Sequence, residues 1–134
     1  MNAFLQGLAG SLQNALAGKS FTLTERLDEL TLVVQDADWA SAALILRDHP
    51  ELRFEQLIDA CGMDYRDYGH GQWEGRRFAA VYHLLSVSLN QRVRVRVFAP
   101  DDDFPMVDSV TSVWPAANWY EREAYDMFGI TFDG

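Results

Sequence analysis

Three carboxylates crowd into one short stretch near the end of the chain: Glu121, Glu123 and Asp126. Paired carboxylates on a rigid element serve general acid–base chemistry, one giving a proton while the other takes it. The neighbouring residues point to a plainer use. Asn118 and Glu121 have the N-cap and N3 spacing of a capping box, with Asn in place of Ser or Thr, which predicts a helix starting there. Acidic groups in a first helical turn oppose the macrodipole. Arg122 can pair with Asp126 across one turn, and Gly129 stands where a helix-terminating glycine belongs. Capping and surface pairing therefore lead. A small acid–base enzyme using Glu121 and Asp126 is the alternative from another class, and nothing else in the chain strengthens it: there is neither a Gly-rich phosphate loop nor a nucleophile set in an elbow motif.

A second set of residues suggests binding. Arg92, Arg94 and Arg96 alternate with Val93, Val95 and Val97, a strand pattern that turns the valines to a core and the arginines outward, and Arg76 and Arg77 extend the basic region. Such a row is either a solvated face that guards against aggregation or a partner contact. Trp119, Tyr120, Tyr125, Met127 and Phe128 are more bulk than one helix of a small domain buries on a single side, and aromatic, Met and Arg enrichment is the composition of interface centres. Metal chemistry finds little support. His49, His70, His83 and the single cysteine, Cys61, are scattered, and iron–sulfur ligation needs several thiolates. One cysteine also makes no intrachain disulfide, which fits a reducing cytoplasm.

The elements that position these residues follow from periodicity. Phe4, Leu5, Leu8, Leu12 and Leu16 predict an amphipathic helix ended by Gly18, and 29–35 has the β-branched content of a short strand. Asp36 or Asp38 is expected to cap a helix through Trp39, Ala43 and Leu46 that stops before Pro50. Phe54, Leu57, Ile58 and Cys61 fall at helical spacing with Gly62 as terminator, which predicts a second short helix with Cys61 on its buried stripe as a core residue. Residues 63–77, with Asp64, Tyr65, Asp67, Tyr68, three glycines and Trp73, read as a loop. Two strands, 78–88 and 91–99, flank Asn90 as a central hairpin. Asp101 to Asp103, Pro105 and the apolar set Met106, Val107, Val110, Val113 and Trp114 then predict a helix ended by Pro115.

Composition bounds the whole. The chain has 134 residues, 49% of them hydrophobic and 13% aromatic, enough for one core and a single domain over 1–134, with an N-terminal helix over 1–18. Eleven basic against 20 acidic residues give a formal charge of −9, a field that repels nucleic acid. The Ala- and Leu-rich start lacks the charge and continuity of a signal peptide, and no run approaches the roughly 18 apolar residues of a membrane span. Any membrane association is expected to come through partners. The residues alone indicate an acidic α+β binding domain.

One resemblance goes further. The run Ala117-Asn118-Trp119-Tyr120-Glu121-Arg122-Glu123, followed by Tyr125-Asp126-Met127-Phe128-Gly129-Ile130, is similar to the signature of the C subunit of respiratory NADH:quinone oxidoreductase (complex I). The equivalent subunits of chloroplast-type dehydrogenases and of membrane-bound, energy-converting hydrogenases share that signature. The Arg-bearing hairpin, the Asp-rich turn and the helix expected before Trp114 come in that family's order, so the resemblance covers roughly 29–134. It implies a two-layer α+β fold, helices against a mixed or antiparallel sheet with a central hairpin. It also implies a non-catalytic subunit of the peripheral arm on the cytoplasmic face of the bacterial inner membrane. The partners it implies are the large quinone-site subunit and its iron–sulfur neighbour, with flavin and iron–sulfur clusters in partner subunits and no cofactor here. A hydrogenase-type complex is the related alternative. In the family the signature continues into a His-Pro-Asp-Leu-Arg-Arg segment and a tail along the large subunit, so such a tail is expected beyond Gly134.

Overall fold

The computed structural model describes residues 2–66 and 75–134. Elements follow in the order α1 (Ala3–Ala15), β1 (Phe21–Arg26), β2 (Glu29–Val34), α2 (Asp36–Asp48), β3 (Gln56–Asp64), β4 (Phe78–Ser86), β5 (Gln91–Phe98), β6 (Met106–Asp108), α3 (Ala117–Phe128) and β7 (Thr131–Asp133). Five strands form one sheet in the order β1-β2-β5-β4-β3, in which β2 and β5 are parallel and the other neighbours antiparallel; β6 and β7 form a small parallel pair. This is the expected α+β fold with a mixed sheet around the β4–β5 hairpin.

Alternation gives the sheet two unlike faces. Leu32, Val95, Tyr82 and Ala60 are cross-strand neighbours on one face, and Thr31, Arg94, His83 and Asp59 on the other. The first face carries the core. Leu30, Leu32, Val34, Val93, Val95, Val97, Tyr82 and Leu84 share one buried cluster with Leu5, Leu8 and Leu12 of α1 and Trp39, Ala42, Ala43 and Leu46 of α2. Trp39 stacks at a tilt on Tyr82, ring centroids 4.8 Å apart, and Trp114 joins them while its indole N–H donates to the Phe54 carbonyl. Burial of Val93, Val95 and Val97 confirms the predicted register of β5.

Five local expectations are corrected. The segment predicted as a helix with Gly62 as its terminator is the edge strand β3, paired along its length with β4. In so short a run the i, i+3, i+4 and i+7 positions do not separate helix from strand, and the register irregularity between Leu57 and Asp59 disturbs the strand alternation. Cys61 is consequently exposed at the sheet edge rather than in the core. The predicted helix over 106–114 is instead β6 followed by a turn. Asp101 Oδ1 accepts from the backbone of Asp103 and Phe104, a local turn, and Thr131 N donates to the Pro105 carbonyl, drawing the segment into the β6–β7 ladder.

The expected caps of α2 and α3 are the other two corrections. Gln35 is the N-cap of α2 and gives it no side-chain bond; Asp36 accepts from Asp108 N and Asp38 from Ser20 N, tying α2 to β6 and to the entry of β1. Asn118 lies inside α3, whose N-cap is Ala116. The strand β1 has no clear pattern in the sequence. Its hairpin closes through Leu27 and Asp28, both at positive φ, as a two-residue turn of this hand requires, but without the Asn-Gly or Asp-Gly pair that marks such turns in sequence. Of the loop over 63–77, Met63 and Asp64 belong to β3, and Asp67, Tyr68, His70 and Trp73 lie outside the described residues.

Candidate functional site

Most of the singled-out residues lie on α3, and its seat on the sheet is set by small residues. Gly62 of β3 faces it: a Cβ there would meet Phe128 Cδ2 at 2.8 Å, Ile130 Cδ1 at 3.1 Å and Ala124 Cβ at 3.2 Å. The helix therefore lies close on the edge strand because one partner has no side chain. Ala117 and Ala124 are buried on its inner side, Phe128 is half-buried against Gly62, and Tyr120 is half-buried with its hydroxyl donating to the Ile58 carbonyl at 3.0 Å. Gly129 ends the helix at φ +71, its N–H donating to Tyr125 O, as the sequence predicts.

Glu121 is the unexpected residue. It is only 8% exposed, and its carboxylate accepts Ser109 Oγ at 2.7 Å, Val110 N at 3.0 Å and Thr111 Oγ1 at 3.3 Å. It does not cap its own helix; it closes the 109–111 turn from above. Three donors compensate much of the desolvation of a buried carboxylate. Glu123 and Asp126 are exposed, so the three acids diverge instead of converging on one pocket. No ion pair joins Arg122 to Asp126 among the described residues, and both point to solvent.

What α3 turns outward is apolar as well as charged. Trp119 is 65% exposed, Tyr125 57% and Met127 73%, and they share the outer side with Asn118, Arg122, Glu123 and Asp126. Asn118, Arg122 and Tyr125 also border, with Ser109, Thr111 and Thr131, a shallow recess of about 380 Å³. The helix thus has an inner side fixed by Glu121, Tyr120 and Gly62 and an outer side that shows Trp119, Tyr125 and Met127.

The arginine row stands apart from α3, on the sheet face away from the core. Arg92 is exposed; Arg94 bonds Glu29 at 3.0 Å and lies 3.3 Å from His83 Nε2, whose other ring nitrogen meets Asp59 at 2.6 Å. Arg96 lies over the Tyr65 ring, and its buried Nε has no hydrogen-bond partner among the described residues. Arg77 forms a bidentate pair with Asp64, whose carboxyl is held below its ordinary range first by that side-chain hydrogen bond. Partial desolvation by its neighbours and then Asp59 push the Cys61 thiol up. No group of three metal-ligating side chains occurs among the described residues. The Glu121 clamp and the Gly62 seat are not legible in the local pattern, because their partners belong to other segments, the 109–111 turn for Glu121 and residues 124–130 for Gly62.

Against known proteins, a family model described as respiratory-chain NADH dehydrogenase, 30 Kd subunit, matches residues 32–134. The C subunit of the NADH-quinone oxidoreductase of Thiobacillus denitrificans is 60% identical over 134 residues, which is all of this chain and 67% of that protein. The protein of the same name from Burkholderia multivorans is 55% identical with the same coverage. The chain thus spans about two thirds of the length of these relatives. Among solved structures, the trypsin-resistant fragment (1-134) of Nqo5 superposes with a TM-score of 0.75 at 31% identity, covering 95% of this chain and 96% of the fragment. A chain of the membrane-bound sulfane sulfur reductase, an archaeal respiratory membrane complex, also reaches 0.75, but at 22% identity it shows the fold alone, over 98% of this chain and 71% of that one.

Proposed function

The chain belongs to the family of the 30 Kd subunit of respiratory-chain NADH dehydrogenase, the C subunit of complex I, and on that premise we propose that it is a non-catalytic scaffold of the peripheral arm. In this reading it supports electron transfer from NADH to quinone by holding the large quinone-site subunit and its iron–sulfur neighbour in place. The observation that carries the reading is the two-sidedness of α3. Its inner side is locked to β3 and the 109–111 turn, while Trp119, Tyr125 and Met127 are left outward with Arg122 and Asp126 among them. Exposed bulk of this kind becomes favourable when a partner buries it.

No helix of the described residues is long and apolar enough to cross a membrane. Attachment to the cytoplasmic face of the membrane through the partner subunits fits that observation. Flavin and iron–sulfur clusters belong to those partners in this reading, and the purified chain is expected to show no absorbance above the aromatic band and no NADH oxidation. Stoichiometric iron or flavin in a native preparation refutes that part.

The test of the scaffold is Trp119→Ala with Met127→Ala in the full-length subunit. Thermal melting of the purified protein is expected to stay close to the parent, whereas the assembled complex on native gels of solubilised membranes drops. Full assembly with an unchanged melt overturns the reading.

A further inference from the structure

The sheet's open face has an electrostatic character opposite to that of the whole chain. Register places Arg26 beside Glu29, Thr31 beside Arg94 and Arg94 beside His83, so Arg26, Arg92, Arg94 and Arg96 all project from the face that carries no helix of the described residues. That is four of the chain's 11 basic residues, and among the described strands alternation adds only Glu29 and Asp59 as acids there, in a chain whose formal charge is −9. Protection of a sheet edge does not explain the row. In the order β1-β2-β5-β4-β3 the arginine-bearing β5 is the central strand, and edge-guarding charges belong on edges.

Internal pairing does not absorb the row either. Arg94 is taken up by Glu29. Arg26 and Arg92 are exposed and have no ion-pair partner among the described residues, and Arg96 lies over the Tyr65 ring. The same face exposes Cys61 and Met63 toward its β3 edge, so it is not purely polar.

We infer that this face is a second docking surface, distinct from the α3 face, and that its partner is a protein surface rich in Asp and Glu. The inference rests on the scaffold reading and adds the chemistry of one partner to it. Among the described strand residues, this acidic chain presents a sheet face of net positive charge, four arginines against Glu29 and Asp59. Complementary charge steers encounter there, and like charge elsewhere on the molecule disfavours wrong orientations.

The experiment uses the tagged full-length subunit expressed in cells. Arg26→Glu combined with Arg92→Glu reverses two exposed charges, and Arg26→Gln with Arg92→Gln removes them. Partner subunits retained per tagged subunit are measured from about 50 to about 300 mM salt, across the range in which screening sharpens. The reversal variant is expected to retain roughly tenfold less partner, the Gln variant less severely and with a flatter salt dependence, and both to melt like the parent. Retention and salt dependence identical to the parent overturn the inference, as does a reversal variant that fails to fold together with a Gln variant that behaves like the parent.

Binding of the purified chain to phosphatidylglycerol-containing vesicles, lost in the reversal variant, also overturns it by assigning the face to lipid. A Trp119→Ala variant run alongside separates the two readings. If it alone loses partners, the scaffold stands and the second surface falls; if neither variant loses partners, both readings fall.

Discussion

Replacing Gly62 with Ala tests the close seat of α3 on β3. A Cβ at that position would stand 2.8 Å from Phe128 Cδ2, 3.1 Å from Ile130 Cδ1 and 3.2 Å from Ala124 Cβ, whereas carbon atoms rest at about 3.5–4.0 Å. Phe128 is half-buried at the helix end and can swing aside, but the Ala124 Cβ is fixed to the α3 backbone and Ile130 is fully buried. Relief therefore requires α3 to lift by several tenths of an ångström. Overpacking of this kind costs about 1–3 kcal/mol, and the reduced freedom of the unfolded chain returns about 0.4–1 kcal/mol. At the middle of both ranges the expected net loss is roughly 1.3 kcal/mol, or roughly 4–8 °C in melting temperature for a chain between the small and mid-sized classes. Gly10→Ala in α1 is the internal contrast. A Cβ there meets nothing within 4 Å, so the same substitution in a helix is expected to stabilise by about 0.5–1 kcal/mol. Circular dichroism melts of the two variants check this pair of opposite signs. A Gly62→Ala protein that melts at or above the parent temperature refutes the reasoning about the seat.

Three further outcomes are expected. Glu121→Gln leaves one of the three donors from 109–111 facing an amide N–H₂ and is expected to cost about 1–3 kcal/mol by chemical denaturation; a stability equal to the parent shows that the clamp contributes nothing. Arg122→Ala, which breaks no ion pair within α3, is expected to melt within about 0.5 kcal/mol of the parent yet to lower complex assembly on native gels, and normal assembly makes it a solvated helix residue. The Asp64 carboxyl has a folded pKa below its unfolded value, so the stability it adds is complete above the unfolded pKa and disappears as pH falls through the folded one. Asp64→Asn is accordingly expected to melt below the parent at neutral pH, with the gap closing as pH falls below about 4; a gap constant down to about pH 2 contradicts the sign.

Short-range pattern carried the fold where one element decides its own conformation. The Val/Arg alternation of β5, the apolar stripe of α1, the strand at 29–35 and the stop of α3 at Gly129 were all legible, because period-2 and period-3.6 burial and a left-handed cap are local physics. Legibility ended where a distant segment supplied the deciding partner. The 54–62 run has helical spacing on paper and becomes a strand because β4 offers it a ladder; Pro105 and Met106 become a ladder because the chain returns with Thr131. The same limit governs the site. Glu121 had the spacing of a capping partner for Asn118, yet its acceptors are spent on Ser109, Val110 and Thr111, and Gly62 had the look of a helix terminator while it is the gap into which α3 settles.

Both misread residues lie on the inner side of the last helix or face it, where tertiary packing competes with local preference. The outward residues Trp119, Arg122, Tyr125 and Met127 meet no ion pair or burial among the described residues that would override their composition, so sequence singled them out and structure leaves them exposed. On the proposed scaffold reading, an inner side set by the fold and an outer side that the fold leaves exposed suit a surface that another protein covers. The clamp and the glycine seat hold α3 still, and a helix held still loses less freedom when a partner covers it.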